Sequence, residues 1–336
     1  MNRTRAHEMN RRQAGVAVGA WLVSASATPA FAQAGGWPRD KVIRLLCGVS
    51  AGGGPDLVAR AVAPELARQL NAQGVIVENR PGAGGSIATG QLVTAPADGY
   101  TLLAASSAHA VNPAFYPHLP YDTLRDITAI GPLGSSMFVM VTNPDKGYAS
   151  VADVVARARA QPGKLNYGSG GAGSGSHLNS AKLASATGMD VVHIPFRGAP
   201  EAVTELIAGR LDWVFLAAPN ALPLVKSGRI QALAVGPAAR SSLLPNVPSM
   251  TEAGFPEAAY SSWVALFASA RTPPLILDRL AAGLGQSIAV PAVRDTLLGM
   301  GVEPMPISAA RFNQSVRDEV AAMGKLIKDA RIKPGE

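Results

Sequence analysis

The chain of 336 residues has a single cysteine, Cys47, which excludes an internal disulfide. Cys47 ends an apolar run and reads as a buried core thiol. Histidines are five and scattered, and neither HExxH nor CxxC occurs, so no metal-ligand spacing is present. No serine stands in a GxSxG elbow; Ser174 has Ala172 and Ser176 at the glycine offsets. No lysine and arginine run marks a nucleic-acid stripe. After the first few dozen residues no stretch approaches the roughly 20 predominantly apolar residues of a membrane span.

What is present begins with a leader pattern. Arg3, Arg5, Arg11 and Arg12 form a basic segment, Gln13 to Thr28 is uncharged, and Ala30-Phe31-Ala32 is a small-x-small cleavage site. Residues 1–32 therefore read as a signal peptide cleaved after Ala32, which places the mature protein in the periplasm. Arg11-Arg12 leaves twin-arginine export open beside the general route, and Met9 is an alternative start. Without the leader the formal charge falls from +7 to +4, with 26 basic against 22 acidic side chains. That balance does not oppose an anionic ligand. The remaining 304 residues suit two lobes.

Short β-branched runs alternate with amphipathic stretches. Strands are expected at 42–46, 74–78, 101–104, 138–141, 165–167, 191–194 and 213–216, and helices at 57–70, 86–95, 151–160, 178–186 and 199–208. The segment 274–328 is expected to be mainly helical. This alternation predicts α/β lobes with parallel sheets. His193 is expected on a buried strand, and Glu78, Asp122 and Asp212 as loop and strand-end caps.

Two glycine-rich loops each join a strand to a helix. The first is Ser50-Ala51-Gly52-Gly53-Gly54-Pro55-Asp56 and the second runs from Gly168 to Ser176. Glycines let backbone approach a ligand, and free N–H groups at a helix start form an anion site. Asp56 is expected to satisfy first-turn N–H groups with its carboxylate turned from the cleft. Gly168, Gly170 and Gly173 also match GxGxxG, but the motif lies mid-chain and Asp190 precedes its β-rich run, which argues against a dinucleotide. Ser169 or Ser174 with His177 keeps open an exported serine hydrolase.

Several stretches, taken in order, resemble the Bug-type receptors of tripartite tricarboxylate transporters. They include Trp37-Pro38, Ala51-Gly52-Gly53 with Asp56, and Val77-Glu78-Asn79-Arg80-Pro81-Gly82-Ala83-Gly84-Gly85. Asp98-Gly99-Tyr100, Asn112-Pro113, Leu119-Pro120-Tyr121-Asp122, Pro162 to Ser169, Pro195-Phe196-Arg197-Gly198 and Leu244 to Ser249 continue the series. The resemblance implies a two-lobed periplasmic binding protein fold, type II-like, with the ligand cleft between the lobes and two crossovers. It implies a receptor without enzymatic activity or cofactor, for a small di-, tri- or aromatic carboxylate. It also implies membrane transporter subunits as partners, with no nucleic acid and a monomeric state. A ligand-sensing receptor is the other form such a protein takes. The expected lobes are 33–137 with 260–336, and 138–259. By position, the binding residues implied are Ser50, Ala51, Gly52 and Gly53 in the first loop, and Ser169, Gly173, Ser174 and Gly175 in the second. Ser106, His109, Phe196, Ala218 and Trp263 complete the set. Where many relatives carry an acid after Phe215 this chain has Leu216, which argues against a ligand held through an ammonium group.

Overall fold

The computed structural model describes residues 36–116 and 118–329. The leader read at 1–32 lies outside them. In chain order the elements are β1 (Ile43–Cys47), α1 (Gly54–Leu70), β2 (Val75–Asn79), α2 (Ser86–Thr94), β3 (Thr101–Ser106), α3 (Ala108–Phe115), β4 (Ile127–Ser136), β5 (Phe138–Thr142), α4 (Val151–Ala160), β6 (Asn166–Ser169), α5 (Gly175–Thr187), β7 (Val192–Pro195), α6 (Ala199–Ile207), β8 (Trp213–Ala217), α7 (Ala218–Lys226), β9 (Gln231–Val235), β10 (Ser262–Ser269), α8 (Pro274–Ala289), α9 (Pro291–Gly299), β11 (Val302–Glu303) and α10 (Ala309–Asp329).

Two sheets form two lobes. The first has the order β11-β4-β10-β3-β1-β2 and the second β7-β6-β8-β5-β9. The expectation of parallel sheets is corrected: each sheet is mixed. β1 runs parallel to β2 and β3, whereas β10 is antiparallel to both β3 and β4. In the second sheet β6 is parallel to β7 and β8, and β5 is antiparallel to β8 and β9. Apart from the two-residue β11, also antiparallel to β4, the strands that run against the rest of their sheets are β5 and β10, which lie next to the crossings between lobes. Met137 alone separates β4 from β5, and the return enters β10 through Tyr260 and Ser261. The two crossovers touch: the Gly236 N–H donates to the Phe138 carbonyl at 2.7 Å and the Tyr260 N–H to the Gly236 carbonyl at 2.9 Å.

Local chemistry sets the element ends. α1 has Pro55 in its first turn, where its missing N–H is harmless, and is followed by Asn71 in the left-handed region. α5 is capped by the Ser174 hydroxyl, which accepts the His177 N–H, and ends at Gly188 with φ 65°. β8 is buried on both faces. Trp213, Phe215 and Ala217 enter one core cluster, and Val214 and Leu216 the other, as the two-residue period of a strand requires. The expected buried strand around His193 is corrected: β7 is a sheet edge, with Val192 47% exposed. Cys47 is a buried free thiol, with burial pushing its pKa up to about 12. Asp122 accepts the N–H groups of Leu124 and Arg125 and caps its loop. Asp212 accepts the Asn166 N–H and the Tyr148 hydroxyl. Glu78 departs from the capping expectation and forms an ion pair with Arg44 at 2.8 Å.

Candidate functional site

Between the lobes lies a cavity of about 140 Å³. That is room for on the order of ten water-sized positions. Its wall is made largely of helix beginnings. Gly54 and Pro55 come from α1, Gly85 precedes α2, Ala108 and His109 open α3, Gly175 and Ser176 open α5, Ala199 opens α6 and Ala217 precedes α7. Each helix start presents N–H groups and the positive end of a dipole. Among the described residues the wall contains no aspartate or glutamate and one cation, Arg197.

The first loop is pinned from behind. The Asp56 carboxylate accepts the Gly52 N–H at 2.8 Å, the Asn79 amide at 2.8 Å and the Arg60 guanidinium at 3.0 Å. Burial pushes this carboxyl up, but the bonds from Arg60, Gly52 and Asn79 outweigh it and hold its pKa below the ordinary value. Asp56 thus faces away from the cavity as expected, but the N–H it accepts is that of Gly52 in the loop ahead of the helix, not a first-turn N–H. Gly53 donates its N–H to the Ser50 carbonyl at 3.0 Å, closing a tight turn.

The second loop is organised by its own side chains. The Gly170 N–H donates to the Ser176 hydroxyl at 2.9 Å, the Gly171 N–H to the Ser169 hydroxyl at 3.1 Å, and the Gly173 N–H to His177 Nδ1 at 3.1 Å. The buried N–H groups of Gly175 and Ser176 take no protein acceptor among the described residues and lie at the cavity wall. Beneath the loop, His177 stacks on His193 with ring centroids 4.1 Å apart, and Tyr167 stacks on His193 at 4.9 Å. Burial lowers the His177 pKa to about 3, with help from neighbouring His193, and burial alone lowers His193 to about 4. Both rings are neutral.

The lobes are clasped across the cavity. The Ser50 hydroxyl donates to the Arg197 carbonyl at 3.2 Å, the Asn220 amide to the Gly52 carbonyl at 2.6 Å, and the Tyr116 hydroxyl to the Ala172 carbonyl at 3.0 Å. Close approach needs glycine: a Cβ on Gly54 would lie 2.7 Å from the Ala217 Cβ.

Of the residues read from the sequence, Gly53, Ser106, His109, Ser174, Gly175 and Phe196 line the cavity. The others do not, each for a visible reason. Ser50 and Gly52 are occupied by the clasp, and Ala51 is exposed beside them. Ser169 is fully buried and its hydroxyl lies 2.6 Å from His193 Nε2. Gly173 shapes its loop at φ 76°. Ala218 sits behind the wall, its N–H donating to the Met137 carbonyl. Trp263 belongs to the core of the first lobe, its indole N–H donating to Glu319 at 2.6 Å and its ring edge-on to Phe312. Leu216 also points away from the cavity, into the core against α6 and α7, so an acid there would not meet a ligand. An ammonium ligand is disfavoured instead by the wall, which carries no carboxylate among the described residues.

Sequence reasoning missed a third glycine-rich turn, Gly82 to Gly85, although it too joins a strand to a helix. It also missed Asn112, three residues after His109 on α3, and Tyr116, the extended residue that ends that helix. Phe138, Phe215, Ser136 and Ser262 reach the wall through the crossover topology and carry no local signal. The serine and histidine pairing considered for hydrolysis does not form at the wall. His177 Nδ1 is engaged by Gly173, and Ser174 lies 3.0 Å from the Ser176 hydroxyl.

Comparison with known proteins places this geometry. A family model described as "Tripartite tricarboxylate transporter family receptor" matches residues 58–332. BugT of Bordetella pertussis is 31% identical over 293 residues, covering 87% of this chain and 90% of its own length. Among solved structures, the periplasmic binding protein BugD is 26% identical with a TM-score of 0.84, over 88% of this chain and 99% of that one. An R. palustris protein solved with adipate is 29% identical with a TM-score of 0.84, over 89% and 100%. Matched over most of its length in both sequence and fold, the chain belongs to the tripartite tricarboxylate transporter receptor family, whose members are binding proteins and not enzymes.

Proposed function

We propose that this receptor captures a small carboxylate in the periplasm and delivers it to the membrane subunits of a tripartite tricarboxylate-type transporter. The observation that carries the reading is the cavity itself, ringed by helix N-termini and free of acidic side chains. The relative solved with adipate, itself a carboxylate, supports the reading, since the two chains share the fold over most of their length. Hydrogen bonds to a charged group contribute roughly 1.5–3 kcal/mol each. Micromolar binding needs about 8 kcal/mol, so a few N–H donors suffice without a buried cation.

In this reading Gly53, Ser106, His109, Ser174, Gly175 and Phe196 contact the ligand, while Ser50 and Gly52 close the cleft. The lobes are residues 33–137 with 260–336, and 138–259, turning about the paired crossovers. Export removes residues 1–32, which the mass of the secreted protein tests.

The function is tested by thermal melting of residues 33–336 against mono-, di- and tricarboxylates, amino acids and nicotinamide dinucleotides. A ligand at 100 times its dissociation constant adds about 2.7 kcal/mol, a readily measured shift. The expected result is a shift with one carboxylate class and no product formed. Shifts with dinucleotides alone overturn the proposal.

A further inference from the structure

The cavity is electrically one-sided. α1 already holds a carboxylate in its first turn, Asp56, which accepts the Gly52 N–H. α6 likewise carries Glu201 in its first turn. α7 has Pro219, which lacks an N–H, as its second residue, and the N–H of its first, Ala218, donates to the Met137 carbonyl. α2, α3 and α5 have no acid in the first turn; the Ser86 N–H that opens α2 donates to the Ala83 carbonyl, whereas the Gly175 and Ser176 N–H groups of α5 remain at the wall, facing the start of α3. Facing α5 are His109 and Asn112 of α3, with Tyr116 just past its C-terminal end. Tyr116 bonds the Ala172 carbonyl, and a Cβ on Gly173 would lie 3.6 Å from Asn112 Oδ1.

His109 supplies the second, independent sign of a ligand at this pole. Its side chain lines the cavity in a residue only 2% exposed, and neither ring nitrogen has a hydrogen-bond partner among the described residues. The ring packs on Phe267, with centroids 4.7 Å apart. A neutral imidazole offers one N–H donor and one acceptor, and here both await a partner in the cavity.

Beside this pole the wall turns apolar. Phe138, Phe196 and Phe215 come from the second lobe, and Leu103 and Val264 from the first. The Phe138 ring lies against the start of α5, where a Cβ on Gly175 would meet its Cζ at 2.5 Å. The amide nitrogens of Asn220 and Asn112 are committed to the Gly52 and Gly84 carbonyls and Ser262 to Ser107, while the two asparagine Oδ1 atoms, acceptors that repel a carboxylate, have no partner among the described residues. A second carboxylate would find one cation, Arg197, on an exposed residue.

We infer that the preferred ligand is an aromatic monocarboxylate, its carboxylate held between the start of α5 and His109 and its ring among Phe138, Phe196 and Phe215. This rests on the carboxylate-receptor reading above and narrows it. It also separates this chain from the relative solved with adipate, a ligand with two carboxylates.

The test is calorimetric titration of residues 33–336 with benzoate, phenylacetate, hexanoate, succinate, malate and adipate. Benzoate or phenylacetate binds about tenfold or more tightly than any dicarboxylate, and about tenfold more tightly than hexanoate. Phe196→Ala, on a half-buried residue outside the central strands, weakens the aromatic ligand about tenfold while its melting curve stays cooperative. Tighter binding of a dicarboxylate overturns the inference and leaves the receptor reading standing. Hexanoate equal to the aromatic acids overturns the aromatic body. Failure of every carboxylate to bind overturns both.

Discussion

Gly54→Ala separates closure from folding. Gly54 opens α1, and a Cβ there would sit 2.7 Å from the Ala217 Cβ of the opposite lobe. Non-bonded carbons prefer about 3.5–4.0 Å, so the lobes must part by about 1 Å at this point. The Asn220 to Gly52 bond at 2.6 Å and the Ser50 to Arg197 bond at 3.2 Å lie beside the contact and stretch beyond useful length. Each contributes about 0.5–1.5 kcal/mol, so the closed form loses about 2 kcal/mol. Affinity for a ligand that requires closure then falls by about 30-fold. The glycine is not in the left-handed region, and alanine is the better helix former, so the empty protein melts no lower than the parent. The assay pairs calorimetry, using the tightest carboxylate from the panel, with small-angle scattering with and without that ligand. The variant should bind weakly and contract less. Parental affinity and parental contraction would falsify the assignment of this contact to the ligand-bound state.

Three further outcomes follow from buried groups. His109, His177 and His193 have pKa values lowered by burial to about 4, 3 and 4. The unfolded chain protonates them near pH 6.5, so their contribution to stability is complete above that pH and is lost as pH falls toward 4. Denaturant midpoints at pH 7 and pH 5 should differ, with pH 5 lower; equal midpoints contradict neutral burial. Glu319 runs in the opposite sense. Burial raises its pKa against the bonds from Trp263 and Tyr260, so its penalty grows as pH rises from about 4.5. Glu319→Gln should raise the melting temperature at pH 8 and leave it unchanged at pH 4, and no gain at pH 8 refutes the cause given. Cys47, fully buried with its pKa pushed up to about 12, should resist thiol reagents in the native protein and react with one equivalent after denaturation. Rapid native labelling would show the strand to be open.

The core alternation of strands and helices was legible because β-branched runs and punctuating glycines are local signals. β1, β6 and β8 and the helices α1 and α5 stand within a few residues of their expected places. β4 escaped notice because Gly131, Pro132 and Gly134 interrupt it, at irregularities where β10 shifts register against it. α3 and α7 were hidden by Pro113 and Pro223 inside them. Strand direction was illegible because a two-residue period is the same either way, which is why the antiparallel crossover strands were not foreseen. At the site, loop glycines announced themselves, but the aromatic wall did not. Phe138 and Phe215 read as ordinary core residues and become wall only because the chain crosses between lobes beside them. Leu216 illustrates the converse: its neighbour Phe215 faces the cavity, so the next position on the strand cannot.

The paired crossovers also set the kinematics of the molecule. One connection is a single residue, Met137, and the other returns beside it, tied through Gly236 to Phe138 on one side and Tyr260 on the other. A lone strand would permit bending, twisting and sliding together. Two strands laced side by side resist sliding and independent twist, and leave rotation about one axis as the soft coordinate. Gly236 has no room to grow, since a Cβ there would sit 3.0 Å from the Tyr260 carbonyl and 3.2 Å from that of Phe138. In the proposed hinge motion the lobes are therefore guided like leaves on a two-pin hinge, with Gly52 meeting Asn220 and Tyr116 meeting Ala172 in the closed register.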